Sequence, residues 1–221
     1  MTRLTLVALL AAGPTLARGP DFSGPAETTK TYLLATRAND VEAAKKCWTI
    51  DDDNESGALD VVVGLWIASR KLAAAAESKL GPDAVKALGR WNRPHGTNEA
   101  IDTTLSRIGN VRIQERGDAA TLRIDWQPGD GETTPAFLCV KTPLVFRRVA
   151  GEWKLDANVF TGSEKAADLF APGKAWPVWR DEIAVMTELT RMLDEGTINN
   201  QATFEVVLRT RVETLKAKYA K

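Results

Sequence analysis

The spacing of apolar residues changes period twice along the chain. From Ala26 to Ala38, Tyr32, Leu33 and Leu34 lie in a stretch that predicts a helix, and Asp40 is placed to cap a short second helix in which Val41, Ala44 and Trp48 recur at i, i+3 and i+7. A longer helix is predicted from Gly57 to Leu80. Leu59, Val62, Val63 and Trp66 form its apolar stripe, Ala73 and Ala76 permit close packing, and Gly81-Pro82 ends it. One or two further turns from Asp83 to Trp91 lead into the loop Asn92-Arg93-Pro94-His95-Gly96.

Beyond that loop the period falls to two. Val111 and Ile113 alternate with Arg112 and Gln114, and Ala120, Leu122, Ile124 and Trp126 alternate with Thr121, Arg123 and Asp125, with Gly117-Asp118 as the turn between them. A longer connection through Gly129-Asp130-Gly131 leads to Phe137–Val149, apolar on both faces, where Pro143 marks a bulge or register break. Ala150-Gly151 then turns into Trp153, Leu155, Ala157 and Val159. An antiparallel meander follows, one face apolar and the other carrying Arg112, Arg123, Asp125, Lys154 and Asp156. The last segment returns to helix: Ile183, Met186, Leu189 and Leu193 share one stripe between Ala175 and Glu195, Gly196 stops it, and Phe204, Leu208, Val212, Leu215 and Tyr219 share another. These two amphipathic helices predict a hairpin that must pack on the sheet, on the first helices or on a second subunit.

The N-terminal residues follow different rules. Arg3 gives a positive start, Leu4–Leu16 is an apolar run too short to span a bilayer, and Thr15-Leu16-Ala17 supplies small residues where signal peptidase reads them. A signal peptide over 1–17 and a linker over 18–25 are expected, with export to a periplasmic or extracellular space and no transmembrane segment after signal removal. The alternative is an uncleaved amphiphilic segment, since Gly13-Pro14 interrupts the run. Export bears on Cys47, on a predicted helix, and Cys139, in a predicted strand. They form a disulfide if that helix packs on that strand within about 7 Å, and are otherwise two small buried hydrophobes.

Composition narrows the classes. With 29 basic against 29 acidic residues and 44% hydrophobic residues among 221, the chain is globular rather than disordered, collagen-like or a membrane bundle. It lacks the cationic surplus of a nucleic-acid binder. The run Asp51-Asp52-Asp53-Asn54-Glu55 is not an EF-hand, because Ser56 and Val62 stand where Gly and Glu are required. It is expected to cap the Gly57–Leu80 helix. No phosphate-cradling motif follows Gly129-Asp130-Gly131, no GxSxG elbow is present, and the lone His95 makes no zinc site. Metal ligands and cofactors are therefore not expected. Trp176-Pro177-Val178-Trp179 either offers rings for stacking on a sugar or membrane interface, or opens the C-terminal hairpin by packing on the sheet.

The order of helices and meander, with Asn39-Asp40-Val41-Glu42-Ala43-Ala44 after the first helix and Leu144–Val149, a small-residue turn and Gly151-Glu152-Trp153-Lys154-Leu155, resembles the nuclear-transport-factor-2-like superfamily over residues 26–160. That group includes SnoaL-like and ketosteroid-isomerase-like proteins. The resemblance implies an α+β fold with N-terminal helices packed on a curved antiparallel sheet, cone-like over 26–160, to which 161–221 adds a helical extension. It also implies a cone-shaped cavity, which some members use for catalysis and many for binding or assembly. Its enzymes place an acid with a Tyr, Asp or His inside the cone; the candidates here are Tyr32, Asp125, Asp156 and His95. Alternation turns Asp125 and Asp156 away from the apolar face, toward Arg112, Arg123 or Lys154, and His95 reads as an exposed loop residue.

No catalytic residue is therefore assigned. The expected function is an exported, non-catalytic binding or assembly module whose cone, lined by Tyr32, Trp66, Trp126, Phe146 and Trp153, holds a small apolar ligand or is simply filled. One version is lipid carriage, since the layout is similar to the periplasmic component of the Mla phospholipid-transport system. The alternative is a SnoaL- or isomerase-like enzyme acting on a small apolar substrate. A homodimer through the sheet or the hairpin is the protein partner this layout allows.

Overall fold

The computed structural model describes residues 19–51, 53–91, 98–124, 143–157 and 176–220. Helix α1 (Pro25–Arg37) opens with Pro25 in its first turn, where a missing N–H costs nothing, and ends at Asn39, which adopts a left-handed φ of 57°. Asp40 then caps α2 (Val41–Lys45), its carboxylate accepting from the Ala43 N–H at 2.9 Å. This helix stops at Lys45, so Trp48 is not the third residue of its stripe. The chain instead runs extended beside the sheet, with Trp48 bridged to Leu155.

Helix α3 (Asp53–Leu80) starts four residues before the predicted Gly57. Asp53 and Glu55 of the acidic run lie within its first turn, where they meet the positive end of the helix as expected of the run, and Glu55 Oε2 accepts the Asp51 N–H at 2.7 Å. Helix α4 (Pro82–Ala87) and a 3-10 turn at Gly89–Trp91 follow as expected. Helix α5 (Asn98–Arg107) was not foreseen, because Thr103, Thr104 and Ser106 dilute the apolar positions Ile101 and Leu105.

Strands β1 (Arg112–Arg116), β2 (Ala119–Arg123), β3 (Leu144–Val149) and β4 (Glu152–Leu155) form one antiparallel sheet in that order. Both two-residue turns suit the strand twist: Gly117 has φ 62°, and Ala150 and Gly151 have φ 51° and 85°. Ala120, Phe146 and Leu155 are register partners on the face that α1, α2, α3 and α5 cover. β1 departs from the expected alternation. All five of its residues are exposed, Ile113 at 38%, and among the described residues it pairs only with β2. The opposite edge is occupied: β4 exchanges backbone hydrogen bonds with Cys47 and Thr49, and the Trp153 N–H donates to the Phe22 carbonyl. The Thr28 hydroxyl, donating to the Trp153 carbonyl at 2.7 Å, pins α1 to this edge.

Helices α6 (Trp176–Asp194) and α7 (Gln201–Tyr219) complete the described chain. Gly196, at φ 72°, ends α6, and the Asn200 side chain caps α7 by accepting from the Thr203 N–H at 2.9 Å. Ion pairs Glu188–Arg211 and Asp181–Lys218 set the two helices antiparallel. Replacing Asn200 with Ala should cost about 1 kcal/mol, read from urea midpoints at unchanged slope; a cost near zero would mean water satisfies that turn equally well.

Helix α3 joins two apolar clusters. Leu59, Val62, Val63, Trp66 and Ile67 face the sheet and α1. Leu65, Ala68, Leu72 and Ala76, on nearly the opposite side at about 100° per residue, face α4, α6 and α7. Against α3, Trp176 seats on Gly57 and Ile183 on Gly64, equal spacings that make the two helices parallel. Trp176, buried, thus opens α6 by packing on α3, while Trp179, partly buried, packs against both clusters, the sheet-facing one included. No helix among the described residues is long and apolar enough to cross a membrane.

Candidate functional site

The predicted lining residues Tyr32, Trp66, Phe146 and Trp153 come together between the helices and the inner sheet face, with none more than 3% exposed. Trp126 lies outside the described residues. Tyr32 stands edge-on to Trp48 (ring centroids 5.6 Å, interplanar angle 88°) and tilted against Trp66 at 6.1 Å. Trp48 was read from the sequence only as a helix residue. Its membership of the aromatic group follows from the bridge to Leu155, which the run Cys47-Trp48-Thr49-Ile50, rich in strand formers, could have signalled.

Two titratable groups lie inside this cluster. Burial, reinforced by the neighbouring Cys47, pushes the Tyr32 phenol well above its usual 10.0, while the side chains of Thr36 and Trp48 offset part of the effect. Cys47 is a free thiol, donating to the Ala43 carbonyl at 3.4 Å, and burial raises it from 9.0 to about 12 against the opposing pull of Lys154. Cys139, its expected disulfide partner, lies outside the described residues. Both Tyr32 and Cys47 are thus held neutral near pH 7, which suits packing better than proton transfer.

The pH dependence of the reduced protein follows in sign. Each group is an acid whose neutral form the fold prefers, so its contribution is complete below the unfolded value, 9.0 for Cys47, and is lost as pH rises toward about 12. Urea midpoints should fall as the pH is raised above about 9, and Cys47→Ala should flatten that fall. Equal slopes in both proteins would count against a shifted thiol.

Asp156 lies 3.8 Å from Arg147, which also pairs with Asp51. This arginine on β3 is one that sequence alternation did not single out as the partner. Arg112 and Arg123, two of the expected partners, stand directly opposite each other in the β1–β2 register. Asp125 and His95 lie outside the described residues, as does the Gly129–Gly131 connection. Among the described residues no group of three or more His, Cys, Asp or Glu side chains is arranged to hold a metal ion. An open surface cleft of about 270 Å³ lies between Gly19–Ser23 and Gly151-Glu152, where the Lys154 ammonium stands over the Phe22 ring. No protein-family model, curated protein or solved structure matches the chain.

Proposed function

We propose that the chain is an exported, non-catalytic module that works by binding or assembly, on a nuclear-transport-factor-2-like cone extended by a C-terminal helical hairpin. The observation that carries this reading is the interior: Tyr32, Trp48, Trp66, Phe146 and Trp153 fill the space between helices and sheet, at most 5% exposed, and burial favours the neutral forms of the Tyr32 phenol and the adjoining Cys47 thiol. A ligand entering there must displace well-packed rings, so the filled, assembling version is favoured over lipid carriage or turnover of a small apolar substrate. Helices α1–α5 followed by a four-stranded antiparallel meander support the superfamily assignment.

Fluorescent fatty-acid titration and intact-mass analysis of the same exported protein test it together. The expected result is no saturable probe binding, with an intact mass that begins near Arg18. Saturable binding that Trp66→Leu abolishes while the fold survives would favour carriage. Turnover of an enolisable or ester substrate would make the protein an enzyme.

A further inference from the structure

We infer that the outer end of β4 is a docking edge for an extended peptide carrying an aromatic residue, and that the chain's own strap, residues 19–23, occupies it. The strap supplies two things there. Its Phe22 carbonyl accepts the Trp153 N–H at 2.9 Å, and its Phe22 ring packs against the sheet-facing cluster with the Lys154 ammonium 3.1 Å from the ring centroid. The remainder of the edge belongs to the folded body: Leu155 exchanges hydrogen bonds with Cys47 and Thr49, and the Trp153 carbonyl accepts from the Thr28 hydroxyl. Lys154 stays in place without the strap, since Glu152 pairs with it at 2.8 Å. An incoming strand therefore finds one backbone donor and one aromatic seat, the backbone bond giving register and the seat giving specificity.

The strap is lightly held. Its residues are exposed except Phe22, which is half-buried. Among the described residues, one backbone hydrogen bond joins it to the sheet. Its other bonds are local: the Thr31 hydroxyl of α1 meets the Asp21 N–H at 3.1 Å and its carbonyl at 3.0 Å, and the Asp21 carboxylate accepts from the Ser23 N–H and hydroxyl. Helix α1 starts at Pro25, so release of the strap breaks none of its backbone bonds. On the side of the β3–β4 turn the strap borders the open cleft of about 270 Å³, which leaves room for it to move. Segments of this kind, with few buried contacts and exposed hydrogen bonds, open at low free energy. The edge is thus self-occupied and exchangeable, independently of whether the exported, non-catalytic reading holds.

Two measurements on the full chain test this. By hydrogen exchange, corrected for intrinsic rates, the Trp153 amide, whose acceptor is the strap, should exchange at least about tenfold faster than the Leu155 amide, whose acceptor is Cys47. Thr31→Val, which unties Asp21, should speed Trp153 further and leave Leu155 unchanged. The second is fluorescence polarisation of a labelled hexapeptide with the sequence of residues 19–24. In the unaltered chain the tethered strap competes at an effective concentration of about millimolar. Phe22→Ala vacates the seat and should bind the hexapeptide at least about tenfold tighter, and a hexapeptide with Ala in place of Phe should not bind. Equal exchange at Trp153 and Leu155 would overturn the inference without any variant. So would the absence of saturable binding in folded Phe22→Ala, or binding indifferent to the phenylalanine of the peptide. A dimer of the unaltered chain that Phe22→Ala dissociates would give the seat to a second copy's strap and overturn the assignment to a separate peptide.

Discussion

Replacing Trp66 with Ala should lower the stability of the folded chain by about 3–5 kcal/mol, the usual cost of deleting a buried aromatic ring. The ring is 3% exposed, lies against Tyr32 at 6.1 Å and belongs to the α3 face that covers the sheet. Leu72→Ala, from the cluster on the other side of the same helix, should cost about 2–5 kcal/mol. Because α3 is continuous through both clusters, each variant should show one urea transition with circular dichroism and tryptophan fluorescence coincident. Two separated transitions would mean that the clusters melt independently, and a loss below about 1 kcal/mol in Trp66→Ala would contradict the burial of that ring.

The second large effect concerns a glycine. A Cβ built on Gly57 would lie 2.6 Å from a ring carbon of Trp176, while the neighbouring contact, Gly64 to Ile183, leaves 3.2 Å. Alanine is the better helix former by about 1 kcal/mol, yet forcing the indole aside costs about 1–3 kcal/mol, so Gly57→Ala should destabilise. The Trp176 indole N–H has no hydrogen-bond partner among the described residues, which leaves apolar packing to fix the ring. Removing the ring should therefore reverse the sign: in a Trp176→Ala background, Gly57→Ala becomes neutral or stabilising. The double-mutant cycle should return a coupling of about 1–3 kcal/mol; simple additivity would show that the two residues do not meet in solution.

Features decided by neighbouring residues were legible in the sequence. Asp40 caps α2 because its short carboxylate reaches an N–H three residues on, and the turns at Gly117-Asp118 and Ala150-Gly151 announce themselves through Gly117 and Gly151, which tolerate positive φ. Features decided by distant partners were not. The stripe from Leu59 to Trp66 was readable, but the opposite face of α3 acquires meaning only from α6, far along the chain. Helix α5 looks polar in isolation, and its burial of Ile101 and Thr104 becomes visible only against α1 and the sheet. At the candidate site, alternation correctly turned Phe146 and Trp153 inward, but it could not supply Trp48, whose position depends on the backbone pairing of Cys47 and Thr49 with Leu155.

The sharing of α3 between two clusters also dictates an order of events. A chain delivered from its N-terminus presents Leu65, Ala68 and Leu72 long before Met186, Leu189 and Leu208 arrive to cover them. Until then this side of α3 has only α4 and Trp91 to pack on, and its contacts with α6, of such long sequence separation, close slowly. Completion of the native state thus waits on the last quarter of the polypeptide. On the export proposed above, which would thread the chain unfolded through a narrow translocon, that delay would be an advantage: the polypeptide would not lock into its final packing until nearly all of it had reached the far side.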